Sequence, residues 1–174
     1  MSIPRLFHIS EDPDIAVFHP RPSPSYFETI KGDAVFAVSE RLLHNYMLPR
    51  DCPRVTFYSG ADTTENDRHD FLDRETADFV VAVENKWYSK IVGAVLYCYE
   101  FPTETFELLD ETAGYYVSYK SVRPIVKMTV KDSIGFLLSR NIALRFQPSL
   151  KSLAKDVARS TLRFSLIRMR NAVE

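Results

Sequence analysis

The chain has 174 residues, of which 45% are hydrophobic and 26% charged, and its formal net charge is -1. This length usually forms a single domain around one core, and these fractions are typical of a folded protein rather than a disordered one. The five glycines are too scattered to build a glycine-rich phosphate-binding loop, which excludes P-loop enzymes and glycine-fingerprint dinucleotide folds.

The cysteines and the first residues exclude further classes. Cys52 and Cys98 are far apart and have no partners at metal-ligand spacing, so we expect no metal site. The first residues lack the charged and apolar segments of a signal peptide. The longest apolar run, Ile91–Tyr99, is about half of the ~20 residues that a membrane-spanning helix needs. We therefore expect a cytoplasmic protein with reduced thiols and no membrane partner.

Hydrophobic periodicity predicts a series of strands and short helices. The strands are expected at Arg5–Ser10, Ala34–Val38, Val55–Tyr58, Phe79–Val83, Ala94–Phe101, Tyr115–Tyr119, Ile125–Val130 and Ala143–Phe146. The helices are expected at Glu40–Tyr46, Glu65–Leu72, Asn85–Ile91 and Ser133–Ser139. Prolines 13, 20, 22 and 24 predict an irregular loop after the first strand. We expect Tyr115–Tyr119 and Ile125–Val130 to pair with each other.

The longest predicted element is a C-terminal helix. The chain from Leu150 to Ala172 contains neither glycine nor proline, and its apolar residues recur at helical spacing. The whole sequence, residues 1–174, therefore predicts a single α+β domain with one mixed or antiparallel sheet and a long C-terminal helix.

Charge is distributed unevenly along the chain. Acidic residues dominate in Asp62–Glu84, and basic residues dominate in Arg140–Glu174. A basic stripe with a four-residue spacing is formed by Lys151, Lys155, Arg159 and Arg163. One interpretation is a non-enzymatic interaction module that uses the C-terminal helix to bind an anionic partner such as nucleic acid. The alternative is an ordinary solvated surface.

The first strand carries a candidate binding site. Alternation along the strand places His8 and Ser10 on the same face. Imidazole and hydroxyl groups both donate and accept hydrogen bonds, so this pair could bind the ribose hydroxyls of a nucleotide. The alternative is a structural histidine that is half-buried near a sheet edge.

A proline-bracketed loop, Pro49–Arg54, is the second candidate. Prolines near both ends lower the entropy cost of ordering the loop, and Arg50 and Arg54 carry the guanidinium shape that binds phosphate. Tyr46, one helical turn upstream, could stack on a planar base or a nicotinamide ring. The alternative is a surface turn with ion-paired arginines.

Cys52 in the same loop suggests a third interpretation, a hydrolase with a cysteine nucleophile. His44 or His8 would act as the base and Asp51 would orient it. The nearby arginines would stabilise the thiolate. The alternative is a small buried thiol without a catalytic role.

Several blocks of the sequence resemble a small bacterial family of unknown function. These blocks are Leu6–Asp12, Phe18–Pro22, Leu48–Val55, Ala113–Ser118 and Ser160–Ala172. They extend over nearly the whole chain, so the resemblance indicates a family but implies no activity.

The order of His8-Ile9-Ser10, Tyr46 and Pro49-Arg50 also resembles ADP-ribosyltransferase-like folds, in particular toxins that modify DNA bases. This resemblance implies that NAD is the substrate, with His8 as the ribose contact and Ser10 beside it. Tyr46 would stack on nicotinamide and Arg50 would contact the phosphates. The reaction would stabilise an oxocarbenium ion as nicotinamide leaves.

The resemblance departs from the family pattern at the catalytic glutamate. Tyr116, in the block Gly114–Ser118, stands where glutamate is expected, and a phenol with a pKa near 10 supplies no negative charge at neutral pH. Glu111 would then replace the missing carboxylate, so the implied catalytic residues are His8, Tyr116 and Glu111. The alternatives are a different reaction or a domain that only binds a nucleotide.

Overall fold

The structure, a computed structural model, describes residues 4–23, 27–72 and 77–173. Pro24 of the predicted loop, residues 73–76 of the acidic segment and Glu174 lie outside the described residues. The chain folds into two compact units, each built from two separate segments. The first unit contains residues 1–46 and 95–130, and the second contains residues 47–94 and 131–174. The expectation of a single domain over residues 1–174 stays a prediction.

The described residues form ten strands and four α-helices. The strands are β1 (Leu6–Ser10), β2 (Val35–Ser39), β3 (Arg54–Tyr58), β4 (Phe79–Glu84), β5 (Leu96–Phe101), β6 (Glu107–Asp110), β7 (Tyr115–Ser118), β8 (Val126–Val130), β9 (Ile142–Gln147) and β10 (Arg163–Ile167). The α-helices are α1 (Glu65–Leu72), α2 (Tyr88–Gly93), α3 (Ser133–Ser139) and α4 (Lys151–Arg159). Short 3-10 helices lie at Glu40–Tyr46, Asn85–Trp87 and Met169–Asn171. Across the described ranges, none of the helices has the length and apolar character needed to span a bilayer.

The first unit is a six-stranded antiparallel sheet with the strand order β6-β7-β2-β1-β5-β8. Its core includes Leu6 and Tyr99 from the sheet, which pack with Phe18 and Phe106 from the connecting segments. Because strand residues alternate between the two faces, this core involves only every second residue of each strand. The other face of the sheet therefore carries a separate set of side chains.

The second unit is a four-stranded sheet with the strand order β10-β3-β4-β9, in which β4 and β9 run parallel and the other pairs run antiparallel. Residues Val80–Val83 of β4 are completely buried, as their continuous apolar run predicts. The core of this unit joins Val55 and Phe57 of β3 to Val157 of α4. Helix α4 is therefore the cover for one face of this sheet.

The predicted fold class is wrong. One mixed or antiparallel sheet of the ADP-ribosyltransferase-like kind is expected from the sequence, whereas the ten strands divide between two sheets. The predicted pairing of Tyr115–Tyr119 with Ile125–Val130 is also wrong, because β7 pairs with β2 and β6 while β8 pairs with β5. Local periodicity indicates that a segment is a strand, but the partner depends on contacts that are distant in sequence.

The predicted long C-terminal helix is wrong as well. Helix α4 ends at Arg159, and the chain continues as β10, which pairs antiparallel with β3. The Ser160 hydroxyl donates to the carbonyl of Val157 at 2.7 Å, and the carboxylate of Asp67 accepts hydrogen bonds from both the N–H and the hydroxyl of Thr161. These bonds end the helix at a site where helical spacing alone gives no stop signal.

Candidate functional site

A gap opens between the neighbouring strands β1 and β2 of the first unit. Within the described part of the chain, their pairing covers only Leu6–Phe7 against Val38–Ser39. Both strands continue beyond that point, because β1 stays paired with β5 as far as Ser10 and β2 stays paired with β7 back to Val35. The sheet is therefore split along one half of the β1–β2 boundary, although each strand remains held by its outer neighbour.

The side chain of His8 lies at the start of this gap. Its Nδ1 is 3.0 Å from the carbonyl oxygen of Phe36, and a carbonyl only accepts hydrogen bonds, so Nδ1 carries the proton. The half-buried imidazole packs against the rings of Phe18, at 4.9 Å, and Phe101, at 6.2 Å, between centroids. Burial on one side and a hydrogen bond to a fixed main-chain acceptor on the other hold the ring in one orientation.

The far end of the gap is closed by the proline-rich loop. The N–H of Arg21 donates to the carbonyl of Ala34 at 3.1 Å, and the N–H of Ala34 donates to the carbonyl of Arg21 at 2.9 Å. Nearer to β1, the Ser10 hydroxyl accepts a hydrogen bond from the N–H of Asp12 at 3.0 Å, which turns the chain away from the sheet. The gap therefore lies between His8 and Arg21, whose side chain is exposed.

Four half-buried aromatic side chains form a cluster on the face of the sheet opposite His8: Phe27, Phe36, Tyr46 and Tyr115. Phe27 is 6.4 Å from Phe36 and 6.1 Å from Tyr115 between ring centroids, and the Tyr46 hydroxyl is hydrogen-bonded to that of Tyr115. His8 contacts the main-chain carbonyl of Phe36 but not this cluster, because alternation along β2 directs the Phe36 ring to the opposite face of the sheet. Two of the predicted binding residues, His8 and Tyr46, thus belong to the first unit but lie on opposite faces of its sheet.

The predicted catalytic residues Tyr116 and Glu111 also belong to the first unit. Burial raises the pKa of the Tyr116 phenol, and the negative charge of Glu111 raises it further. Tyr116 packs against the core of this unit, and alternation along β7 places it on the opposite face of the sheet from Tyr115. Tyr116 therefore remains a neutral phenol at physiological pH, on the face away from the aromatic cluster.

The Pro49–Arg54 loop belongs to the second unit. The carbonyl of Pro49 accepts hydrogen bonds from the N–H of Cys52 at 3.0 Å and from Nη1 of Arg54 at 3.1 Å. Only 2% of Arg54 is exposed, whereas Arg50 lies at the surface. The loop is ordered as its prolines predict, but one of its two arginines is turned into the protein.

Cys52 does not have the environment of a nucleophile. The residue is completely buried, and burial raises the pKa of its thiol to about 11. A thiol with this pKa stays protonated at neutral pH, whereas a reactive cysteine needs a thiolate. Both histidines that could serve as its base, His8 and His44, belong to the other unit.

A largely buried ionic cluster lies near this loop. Glu84 is completely buried, and like Arg54 it lies close enough to Cys52 to affect the ionisation of the thiol. Its Oε1 accepts a hydrogen bond from the N–H of Val173 at 2.8 Å. The ammonium of Lys86 lies 3.3 Å from Oε2 without the geometry of a hydrogen bond. Through Glu84 this cluster anchors the C-terminal segment; Glu84 and Arg54 are buried, whereas the side chain of Lys86 is 48% exposed.

The basic stripe is divided between two elements. Lys151, Lys155 and Arg159 are exposed on α4, one turn apart. Arg163 lies on β10 instead, where its Nη2 is 3.2 Å from the carboxylate of Asp62. Three of the four basic residues of the predicted stripe therefore lie on the surface of one helix, α4.

The sequence analysis did not identify Arg21, Phe27 or Phe36 as residues of the candidate site. Arg21 lies in the Phe18–Pro22 block that carries the family resemblance, so this block was a signal that could have drawn attention to it. Phe36 has no such signal, because its role depends on a carbonyl exposed by the separation of two strands. Residue types alone do not predict where a ladder stops.

Comparisons with known proteins identify a family without assigning an activity. No curated protein and no solved structure matches the chain, so the ADP-ribosyltransferase-like fold receives no support. A family model described as a family of unknown function, DUF6886, matches residues 7–172. This match confirms the predicted membership of a small uncharacterised family. The protein therefore belongs to the DUF6886 family.

Proposed function

We propose that the first unit binds a nucleotide at the gap between β1 and β2. The observation that carries the proposal is the early end of the ladder between these strands, together with the imidazole of His8 on the carbonyl of Phe36. Where two strands separate, main-chain N–H and C=O groups that would otherwise pair with each other become able to bind a ligand. The gap thus combines main-chain hydrogen-bonding groups with a fixed imidazole.

The side chains around the gap fit the three chemical parts of a nucleotide. The partly exposed rings of Phe27, Phe36 and Tyr46 lie on the face of the sheet opposite His8, so a planar base that stacks on them reaches the sugar contacts through the gap. His8 provides a hydrogen-bonding ring of fixed orientation for sugar hydroxyls. The exposed guanidinium of Arg21 at the far end suits a phosphate.

The proposal concerns binding, and NAD is one ligand of this chemical class. It retains His8, Ser10 and Tyr46 from the sequence analysis and adds Arg21 and Phe36. No reaction is assigned to Tyr116, because a protonated phenol does not replace a carboxylate. None is assigned to Glu111, because its described interaction is with Tyr116 rather than with His8.

The test is a titration of the full chain with NAD, ADP-ribose and AMP, followed by calorimetry. We expect saturable binding that weakens by about tenfold or more in His8→Ala and in Arg21→Ala, since each change removes one polar contact to the ligand. Arg21→Ala leaves the main-chain bonds to Ala34 in place, so it removes only the guanidinium.

Two matched variants serve as controls for this titration. His69→Ala and Arg140→Ala remove an exposed imidazole and an exposed guanidinium of the second unit. Both are expected to bind as the unmodified protein does. The proposal fails if none of the three ligands binds at millimolar concentration, or if the control variants lose as much affinity as His8→Ala.

A second candidate function rests on the three exposed cations of α4. Their spacing suits a polyanion such as nucleic acid. Changing Lys151, Lys155 and Arg159 together to alanine should then remove the salt-dependent part of binding to single-stranded DNA. Changing Lys120, Arg123 and Lys131 to alanine removes the same charge elsewhere and should have no such effect.

A further inference from the structure

The strand β8 is an exposed apolar edge of the six-stranded sheet. It is the last strand on its side, and its pairing with β5 runs without a shift over all five residues. Val126 is 51% exposed and Met128 is 43% exposed, while the preceding Ile125 is 62% exposed. An edge strand presents a row of main-chain donors and acceptors that a further strand can pair with.

The opposite edge, β6, carries the features that prevent such pairing. It has only four residues, it places the carboxylates of Glu107 and Asp110 at its ends, and its pairing with β7 shifts between Leu108 and Asp110. Short length, charge and irregularity are the usual protections of an edge strand. The sequence of β8, Val126–Val130, contains one charged residue, Lys127, and neither an acidic residue nor a proline, and its ladder has no shift.

We propose that β8 pairs antiparallel with β8 of a second copy of this chain, about a two-fold axis at Met128. This register pairs all five residues of the strand, whereas any other centre pairs fewer. Val126 then lies opposite Val130 of the second copy, and Lys127 lies opposite Thr129. An axis at Lys127 would instead place two ammonium groups directly opposite each other, which is destabilising.

The charges of β8 are compatible with this self-pairing. The ammonium of Lys127 donates to the carbonyl of Pro13 at 2.8 Å and lies over the ring of Tyr97. It is therefore held against its own unit rather than across the axis. Met128 and Val126 belong to the same face of the strand, so their apolar side chains would form one continuous row with those of the second copy.

The protected edge β6 decides which kind of assembly results. A head-to-tail assembly would require β8 of one copy to pair with β6 of the next, and the shift and carboxylates of β6 oppose this. Self-pairing of β8 gives a closed two-fold dimer instead. A single strand pair buries less than the roughly 1,000 Å² typical of stable interfaces, so we expect a weak dimer.

The test is sedimentation of the full chain over about 10 µM to 1 mM, a range in which a weak dimer dissociates. We expect a reversible monomer–dimer equilibrium. Met128→Lys places two like charges beside the axis and should weaken dimerisation by more than about tenfold. Leu108→Lys makes the same kind of change at an exposed apolar residue of the opposite edge and should leave the equilibrium unchanged.

A charge-swap experiment locates the axis. Met128→Glu should also be monomeric, whereas a mixture of Met128→Lys and Met128→Glu should form a heterodimer, because only a two-fold axis at Met128 brings these two charges together. A monomer at every concentration, a mixture that does not associate, or an equal effect of Leu108→Lys would overturn the proposal. Nucleotide binding at the gap is measured separately, so either proposal can fail without the other.

Discussion

His8 and Arg54 start from the same kind of sequence evidence, a polar side chain in or beside a predicted strand, and they finish in opposite environments. His8 is half-buried at a gap in the first sheet, where its Nδ1 donates a hydrogen bond to the carbonyl of Phe36. Arg54 is almost completely buried in the second unit, near Cys52 and Glu84. We propose a ligand contact for the first, whereas the second is internal to its unit.

This difference teaches that burial, rather than residue type, separates a binding group from a structural one. Buried charges need compensating neighbours, and the carboxylate of Glu84 also accepts the N–H of Val173. The gap has a different composition, because it combines main-chain groups with a single imidazole and an exposed guanidinium. Changes in the buried cluster should therefore affect stability, and changes at the gap should affect binding.

The largest expected effect is the loss of Glu84. Glu84→Ala should lower the free energy of unfolding by about 3–5 kcal/mol, because it removes one charge from a buried ionic cluster. Chemical denaturation measures the change. Glu65→Ala is the control, since its exposed carboxylate is only 3.6 Å from Arg68 in a surface pair worth about 0–1 kcal/mol. Equal losses in the two variants would contradict an internal role for Glu84.

The next effect is a pH dependence due to Cys52. Its pKa is about 11 in the folded protein against an ordinary 9.0, so unfolding releases a proton between these values and stability falls as the pH rises through this range. This contribution amounts to about 2–3 kcal/mol at 1.36 kcal/mol per pKa unit. Denaturation at pH 8 and pH 11 should show a smaller decrease for Cys52→Ala than for the unmodified chain. Equal decreases in the free energy of unfolding of the two proteins would show that the Cys52 thiol is in contact with water.

A third prediction concerns the backbone next to the aromatic cluster. Gly114 has a φ of +66°, and a Cβ there would lie 2.6 Å from the Ser39 hydroxyl. Gly114→Ala should therefore cost about 1–3 kcal/mol of unfolding free energy. Gly93→Ala is the matched control, because nothing lies within 4 Å of its Cβ position, and it should not destabilise the protein. An unchanged free energy of unfolding in Gly114→Ala would contradict the close approach of residue 114 to Ser39 before β7.

The smallest effect is expected at Tyr116. Glu111→Gln should lower the pKa of this phenol, because one of the two causes that raise it is removed, while burial keeps it above its ordinary value. An ultraviolet titration of the unmodified chain and Glu111→Gln, each compared with Tyr116→Phe, isolates this group. An unchanged pKa of the Tyr116 phenol in Glu111→Gln would show that the charge of Glu111 does not act on it.

Much of the secondary structure follows from the local sequence. The helices Glu65–Leu72 and Ser133–Ser139 are confirmed with the predicted bounds, and the apolar run at β4 is confirmed as a buried strand. The candidate site was predicted only in part. His8 and Tyr46 come from the sequence, whereas Arg21 and Phe36 depend on where the chain returns to the sheet.

The sequence by itself determined the short elements and the family, because periodicity, caps and family blocks depend on residues close together in the chain. Only the tertiary structure decided that the helix α4 ends at Arg159, that Glu84 is tied to a main-chain group 89 positions away, and that β1 and β2 separate after Phe7. Each of these outcomes is a competition between a local preference and a distant partner. The distant partner prevails when it satisfies a buried polar group or completes a sheet.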